Sequence, residues 1–290
     1  MKLLFLTFLL VTLAICMISV VTAADITISP ITPGGLKKAV ESAENGDTIY
    51  LKNGVYSGEN NREINIIKSV NIIGKGKNVV IDGERQSYFF TSRIYYNVSL
   101  ESLTLINFGY NKMMSGGAIS AGPLTVKDCT FTNNQAGTGG AITCLRALTV
   151  SKSTFKNNKA TNSAGAIRCY GALTVSSCTF KNNQAPYGGA ILCHRALTLS
   201  KSTFKNNQAG IGGAIFKWGP STVSSCTFKN NQARYRGGAI YNKNGALTVK
   251  NTNFTKNIEN KKYNAIYGHK DKITKKNVTI TPKDGTKVKK

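Results

Sequence analysis

Between Gly116 and Asn257 the chain repeats one pattern six times, at steps of 23 to 26 residues. Each copy reads Gly-Ala-Ile, then Ala-Leu-Thr-Val, then Ser-X-(Ser/Cys)-Thr-Phe-Lys-Asn-Asn-Gln-Ala, with small changes. The isoleucines fall at Ile119, Ile142, Ile167, Ile191, Ile215 and Ile240; the phenylalanines fall at Phe131, Phe155, Phe180, Phe204, Phe228 and Phe254. A period of this length, built of short β-type runs punctuated by Gly and Asn-Asn, is one supersecondary unit stacked on copies of itself.

The alternation within each unit predicts a parallel β-helix, an all-β solenoid with one repeat per coil. In Leu148-Thr149-Val150 the apolar residues share one face and Thr149 takes the other, and Leu173-Thr174-Val175 does the same one period later. No apolar series at helical spacing survives the Gly and Asn-Asn punctuation. Coils stacked at about 4.8 Å turn each repeat position into a column. Phe over Phe, Ile over Ile and Leu over Leu fill a narrow core. Asn134, Asn158, Asn183, Asn207, Asn231 and Asn257 form an amide column at a turn, and Gly116, Gly139, Gly165, Gly188, Gly212 and Gly237 are expected at one bend.

Taken in order, Met1 to Ala24 has one Lys, an apolar run from Leu3 to Val21, and small residues before Asp25, the pattern of a cleaved secretory signal. If it stays uncleaved, the run is long enough to anchor the chain in a membrane. Residues 25–280 form the predicted solenoid, with less regular coils over 25–110, the repeats over 111–257 and a degenerate terminal coil over 258–280. Residues 281–290 read as a basic tail. Leu36, Ala39, Val40 and Ala43 share one face of a short helix that would cover the first coil. The run from Leu36 through Gly46-Asp47-Thr48-Ile49-Tyr50-Leu51 to Tyr56 resembles the opening of pectate-lyase-type right-handed β-helices. The recurring Gly-Gly-Ala-Ile with Phe-X-X-Asn is similar to the repeats of chlamydial polymorphic outer-membrane proteins and of adhesin-like surface proteins of methanogenic archaea. That resemblance implies a right-handed parallel β-helix at a cell surface.

The formal charge is +25, and its placement constrains function. From Cys129 to Ile258 there are sixteen Lys and Arg and no Asp or Glu. Glycoside hydrolases ordinarily need two facing carboxylates, and calcium-dependent lyases need carboxylates for the metal. The array supplies neither. Asp47 and Asp82 lie in the first coils beside Gly, where turn-forming Asp is the common finding. The expectation is a non-enzymatic surface or secreted protein binding an anionic cell-wall polymer, a glycan or another cell, with a pectate-lyase-like enzyme as the alternative. Nucleic-acid binding rests on charge alone and lacks an aromatic-basic groove motif.

Candidate ligand contacts are the outward column Lys156, Lys181, Lys205 and Lys229, and the turn residues Tyr170, Tyr187, Trp218, Arg234, Tyr235 and Arg236, whose rings and cations suit sugars or acidic groups. Asn97, Asn253 and Asn277 are glycosylation sequons. Cys129, Cys178 and Cys226 lie on alternate coils, too far apart to bridge. Cys144, Cys169 and Cys193 lie on consecutive coils at a spacing compatible with one disulfide. Lys217 and Asn242 continue that column, which places it near a strand end and away from the deep core. No Cys-X-X-Cys spacing suggests a metal, and no cofactor is implied.

Overall fold

The computed structural model describes residues 24–109, 115–269 and 272–281, and the backbone of 288–289. The expected targeting segment, apart from Ala24, and most of the basic tail lie outside these residues. One coil shows the plan: strands Leu148–Ser151, Thr154–Lys156, Lys159–Ser163 and Ile167–Cys169, each paired in parallel with its copies above and below. Among the described residues these strands collect into three sheets. Sheet A has 17 strands and holds the Leu-Thr-Val-Ser and Thr-Phe-Lys runs; sheet C has seven, of Gln-Ala type; sheet B has ten, of Ile-X-Cys type. Sheet A is counted as one because Thr48–Tyr56, Val70–Asp82, Leu247–Thr255 and Ile273–Thr281 pass through its bend unbroken. The protein is therefore a parallel β-solenoid.

Register is set residue for residue by the repeat. Leu148 pairs with Leu173 and that with Leu197, and Ile142 leads through Ile167, Ile191 and Ile215 to Ile240. The six repeat phenylalanines stack with centroids 4.7 to 4.9 Å apart and planes within 10°. All are buried. The stacked rings add dispersion contact to simple burial, and together with the Ile, Leu and Val columns they make one continuous core.

Sharp corners need left-handed backbone. Asp128, Lys152, Ser177, Lys201 and Ser225 adopt positive φ at the bend of sheet A, and Asn133, Asn157, Asn182, Asn206 and Asn230 do so at the next corner. The following residue, the inner Asn, points into the protein. Asn158 Nδ2 donates to Phe131 O at 3.0 Å and to Asn183 Oδ1 at 3.1 Å, while its own Oδ1 accepts from the backbone N and the Nδ2 of Asn134. The same set repeats at Asn183, Asn207 and Asn231. A buried corner that breaks the strand ladder thus keeps its polar groups paired.

The glycine column differs from the expected one. Positive φ occurs at Gly116, Gly139, Gly188, Gly212 and Gly237, but in the intervening coil at Ala164, φ 59°, and not at Gly165. The reason is a substitution: this coil reads Ala164-Gly165-Ala166-Ile167 where its neighbours read Gly-Gly-Ala-Ile, so an Ala occupies the left-handed position three residues before the column Ile. Gly165 stands instead with Gly140 and Gly189, where an added Cβ would lie 2.1 Å from the carbonyl oxygen of the next coil.

The first coil is covered by helix α1, Gly35–Ser42, which buries Leu36, Ala39 and Val40, with Ala43 just past its end. The Leu36 amide donates to Asn61 Oδ1. Tyr56 is buried and its hydroxyl donates to Ile28 O and Lys52 O, and burial pushes its pKa up to about 12.

Candidate ligand-binding surfaces

The candidate contact residues fall on three different faces. The Lys column is where the repeat puts it, in register on sheet A through Lys156, Lys181, Lys205 and Lys229. The outer two are exposed and the inner two half-buried. At the strand spacing of about 4.8 Å, neighbouring ammonium groups repel by roughly 0.5–1 kcal/mol in water. No carboxylate within the array relieves this. Ion pairs are seen in the first coils and at their junction with the array, Arg62 with Glu84 at 2.6 Å and Lys127 with Glu101 at 2.7 Å.

Tyr170, Trp218 and Tyr187 meet on the outer face of sheet B, joined by residues the sequence reading did not single out. The position after the Cys144, Cys169, Cys193, Lys217 and Asn242 column holds Leu145, Tyr170, His194, Trp218 and Lys243 on successive coils. Tyr170 and His194 stack at 4.7 Å, His194 and Trp218 at 4.5 Å. Phe216, the middle residue of its strand, touches Trp218 at 4.5 Å, Tyr241 at 4.9 Å and Tyr187 edge-on at 5.8 Å. Tyr241 continues to Tyr267. Arg168 lies over Tyr170, Lys243 over Trp218 and Arg236 over Tyr267, at 4.6, 5.3 and 5.3 Å. This is a connected aromatic platform edged by cations, with Leu192 and Phe216 as its buried floor. His194 Nε2 and Arg168 Nε are buried there without a hydrogen-bond partner. Burial, aided by Arg168, holds the His194 pKa below its usual value, so the ring is neutral at pH 7. The signal that could have found this platform is the middle position of the strand, which runs Arg168, Leu192, Phe216, Tyr241 and points outward.

Arg234 and Tyr235 do not join the platform. They stand over sheet C, with the guanidinium 5.1 Å from the Tyr235 ring centroid. Asn97, Asn253 and Asn277 are all exposed, although Asn277 Nδ2 donates to Asn251 Oδ1 at 3.2 Å.

The cysteine column corrects the expectation of a shallow site. Cys144, Cys169 and Cys193 are in register as foreseen, but they and Lys217 are fully buried, because the strand end turns inward beneath the following loop. All three are thiols in the structure. Cys144 Sγ donates to Gly122 O. Hydrogen bonding to Cys144 and burial push the Cys169 thiol up, and burial pushes Cys193 up to about 11. Burial likewise pushes Cys129 up to about 12 and Cys178 and Cys226 up to about 11. Such thiols are poor nucleophiles. Lys217 Nζ donates to Ala246 O at 3.1 Å, and burial pulls its pKa down to about 8.

The carboxylates of the first coils serve the backbone. Asp47 accepts from the Ala24 and Glu44 amides, bonds that hold its pKa below the usual value. Asp82 Oδ1 accepts from the Glu84 amide and from Asn107 Nδ2. Among the described residues no group of His, Cys, Asp and Glu is placed to hold a metal ion.

Five segments match the Chlamydia polymorphic membrane protein repeat family: residues 128–145, 152–170, 177–194, 201–216 and 225–243. The chain thus carries repeats of the polymorphic membrane protein type, folded as a parallel β-solenoid. Among solved structures it is similar to a rhamnogalacturonan lyase, at 11% identity and a TM-score of 0.59, covering 91% of this chain and 84% of the lyase. A mannuronic-acid-specific family 6 polysaccharide lyase from human gut microbiota aligns over 89% of this chain and 83% of its own, at 12% identity and a TM-score of 0.44. At 11% identity the likeness to the rhamnogalacturonan lyase is one of fold. No curated protein matches the sequence.

Proposed function

We propose that the chain is a non-catalytic, secreted or cell-surface adhesin-like protein that binds an anionic cell-wall polymer, a glycan or another cell through its repetitive basic surface. One observation carries the reading: Lys156, Lys181, Lys205 and Lys229 stack in register in an array without a single carboxylate. A polyanion laid along the column relieves its self-repulsion and gains several weak contacts at once. The polymorphic membrane protein repeats support a surface role. A lyase reading has the fold likeness in its favour, but Asp47 and Asp82 are spent on backbone amides.

The test is binding to acidic and neutral glycans across a salt series. Replacing the four column lysines with Gln should weaken binding to acidic glycans at least tenfold at low salt and flatten its salt dependence. Undiminished binding by that variant, or release of sugar ends from an acidic polysaccharide by the unmodified protein, would overturn the proposal.

A further inference from the structure

The outer face of sheet C holds a groove of about 1040 Å³ lined by residues from five successive coils, from Lys159 to Lys261. Residues contributed by coil after coil make the groove run along the solenoid axis. Its central column is Gln184, Gln208 and Gln232, in register. These carboxamides are exposed, and none has a side-chain hydrogen bond within the described protein. The inner Asn column one corner away is, by contrast, bonded throughout. A second trough of about 540 Å³ shares the same three glutamines and continues toward the Asn corner, so the column is a ridge reachable from both sides.

Two features give the groove its chemistry. Tyr235 lies across it: a Cβ built on Gly210, one coil below, would touch two of its ring carbons at 3.7 Å, so the ring rests over that residue of the groove floor. Charge is supplied by Lys159, Arg234 and Lys261, and no residue of the lining is acidic.

We propose that this groove is the specific site for a linear acidic polysaccharide lying parallel to the solenoid axis. A sugar ring stacks on Tyr235, hydroxyls exchange hydrogen bonds with the unpaired amides, and carboxylates or sulfates pair with the cations, Arg234 in bidentate fashion. Amides repeating at about 4.8 Å offer donor and acceptor at each coil, which a polymer of like units can use in succession. The proposal rests on the glycan-binding reading above but assigns selectivity to a different face from the lysine column.

The experiment is calorimetric titration of the protein with a hyaluronan oligosaccharide, its carboxyl-reduced counterpart and a heparin fragment, at a salt concentration that suppresses the lysine column. The acidic probes should bind and the carboxyl-reduced one should bind at least tenfold more weakly. Tyr235→Ala, and separately Gln184→Ala/Gln208→Ala/Gln232→Ala, should each weaken the acidic probes at least tenfold without moving the unfolding midpoint, because these side chains are exposed. Trp218→Ala on the platform should leave binding unchanged. Groove variants that bind like the parent, or a Trp218→Ala loss equal to theirs, would overturn the assignment. If only the lysine-to-Gln variant loses binding, the general function stands and the groove does not. If no acidic probe binds the parent at any salt, both fall.

Discussion

The first coils and the regular array share a way of stacking but not a way of handling charge. From Asp25 to Gly109 there are nine acidic and nine basic residues, and among the acids Asp47 and Asp82 accept from backbone amides while Glu84 and Glu101 pair with Arg62 and Lys127. From Cys129 to Ile258 there are sixteen basic residues and no acid. Both regions form parallel coils in register with one core. The solenoid therefore does not need its positive charge in order to fold. What the array has and the first coils lack is repetition, which sets identical groups over one another: stabilising for Phe and Asn, costly for Lys.

The sharpest way to break this contrast is at the repeated amide. Asn183→Leu strips partners from the Asn158 amide and Nδ2, from Phe155 O and from Asn207. At about 1–3 kcal/mol per stranded group, urea unfolding should show a loss of about 4 kcal/mol or more. Gly189→Ala should cost about 3 kcal/mol, since its Cβ would meet the Gly213 carbonyl at 2.1 Å.

Lys217 tests a single cation placed inside the repeat core. Its folded pKa, about 8, lies below the unfolded value, so the unfolded chain binds more protons between them and stability rises with pH through that window. Its burial costs most below pH 8 and nothing above the unfolded pKa. Lys217→Met should be more stable than the parent by about 3 kcal/mol at pH 7, with the advantage shrinking toward pH 10 and above. Chemical unfolding of both proteins at the two pH values measures it.

Smaller effects sharpen the comparison. Ala164 holds a left-handed conformation that its five equivalents give to glycine in the other coils, so Ala164→Gly should gain about 1 kcal/mol in the same assay. Lys181→Gln/Lys205→Gln should gain about 0.5 kcal/mol at low salt and nothing at high salt, whereas a charge swap in the balanced first coils should not show that salt-dependent gain.

Much of the fold was legible because stacking at fixed register converts sequence period into spatial neighbours. The Phe, Ile, Leu, inner Asn and Lys columns all follow from counting. The candidate surfaces were legible only in part. Tyr170 and Trp218 look like isolated substitutions in sequence, and their partner His194 differs in residue type, so the stack emerges only once the column is seen. Gly165 was misplaced because this coil reads Ala164-Gly165-Ala166-Ile167 where its neighbours read Gly-Gly-Ala-Ile, and matching glycine to glycine hid the Ala that takes the left-handed position. The depth of Cys144, Cys169, Cys193 and Lys217 escaped because a polar residue in a column suggests exposure, while here a loop carbonyl receives the buried ammonium.

The sequence by itself determined that this protein is a stacked β-solenoid, which residues share a column, and that its repeat surface is basic. It could do so because one dimension, the period, suffices to place like upon like. The tertiary structure alone decided which columns stand side by side, how deep each one lies, and that the ligand candidates divide among three faces. Those relations depend on the corners, where left-handed residues turn the chain and variable loops aim the side chains, and a corner's direction is not written in the spacing of the repeat.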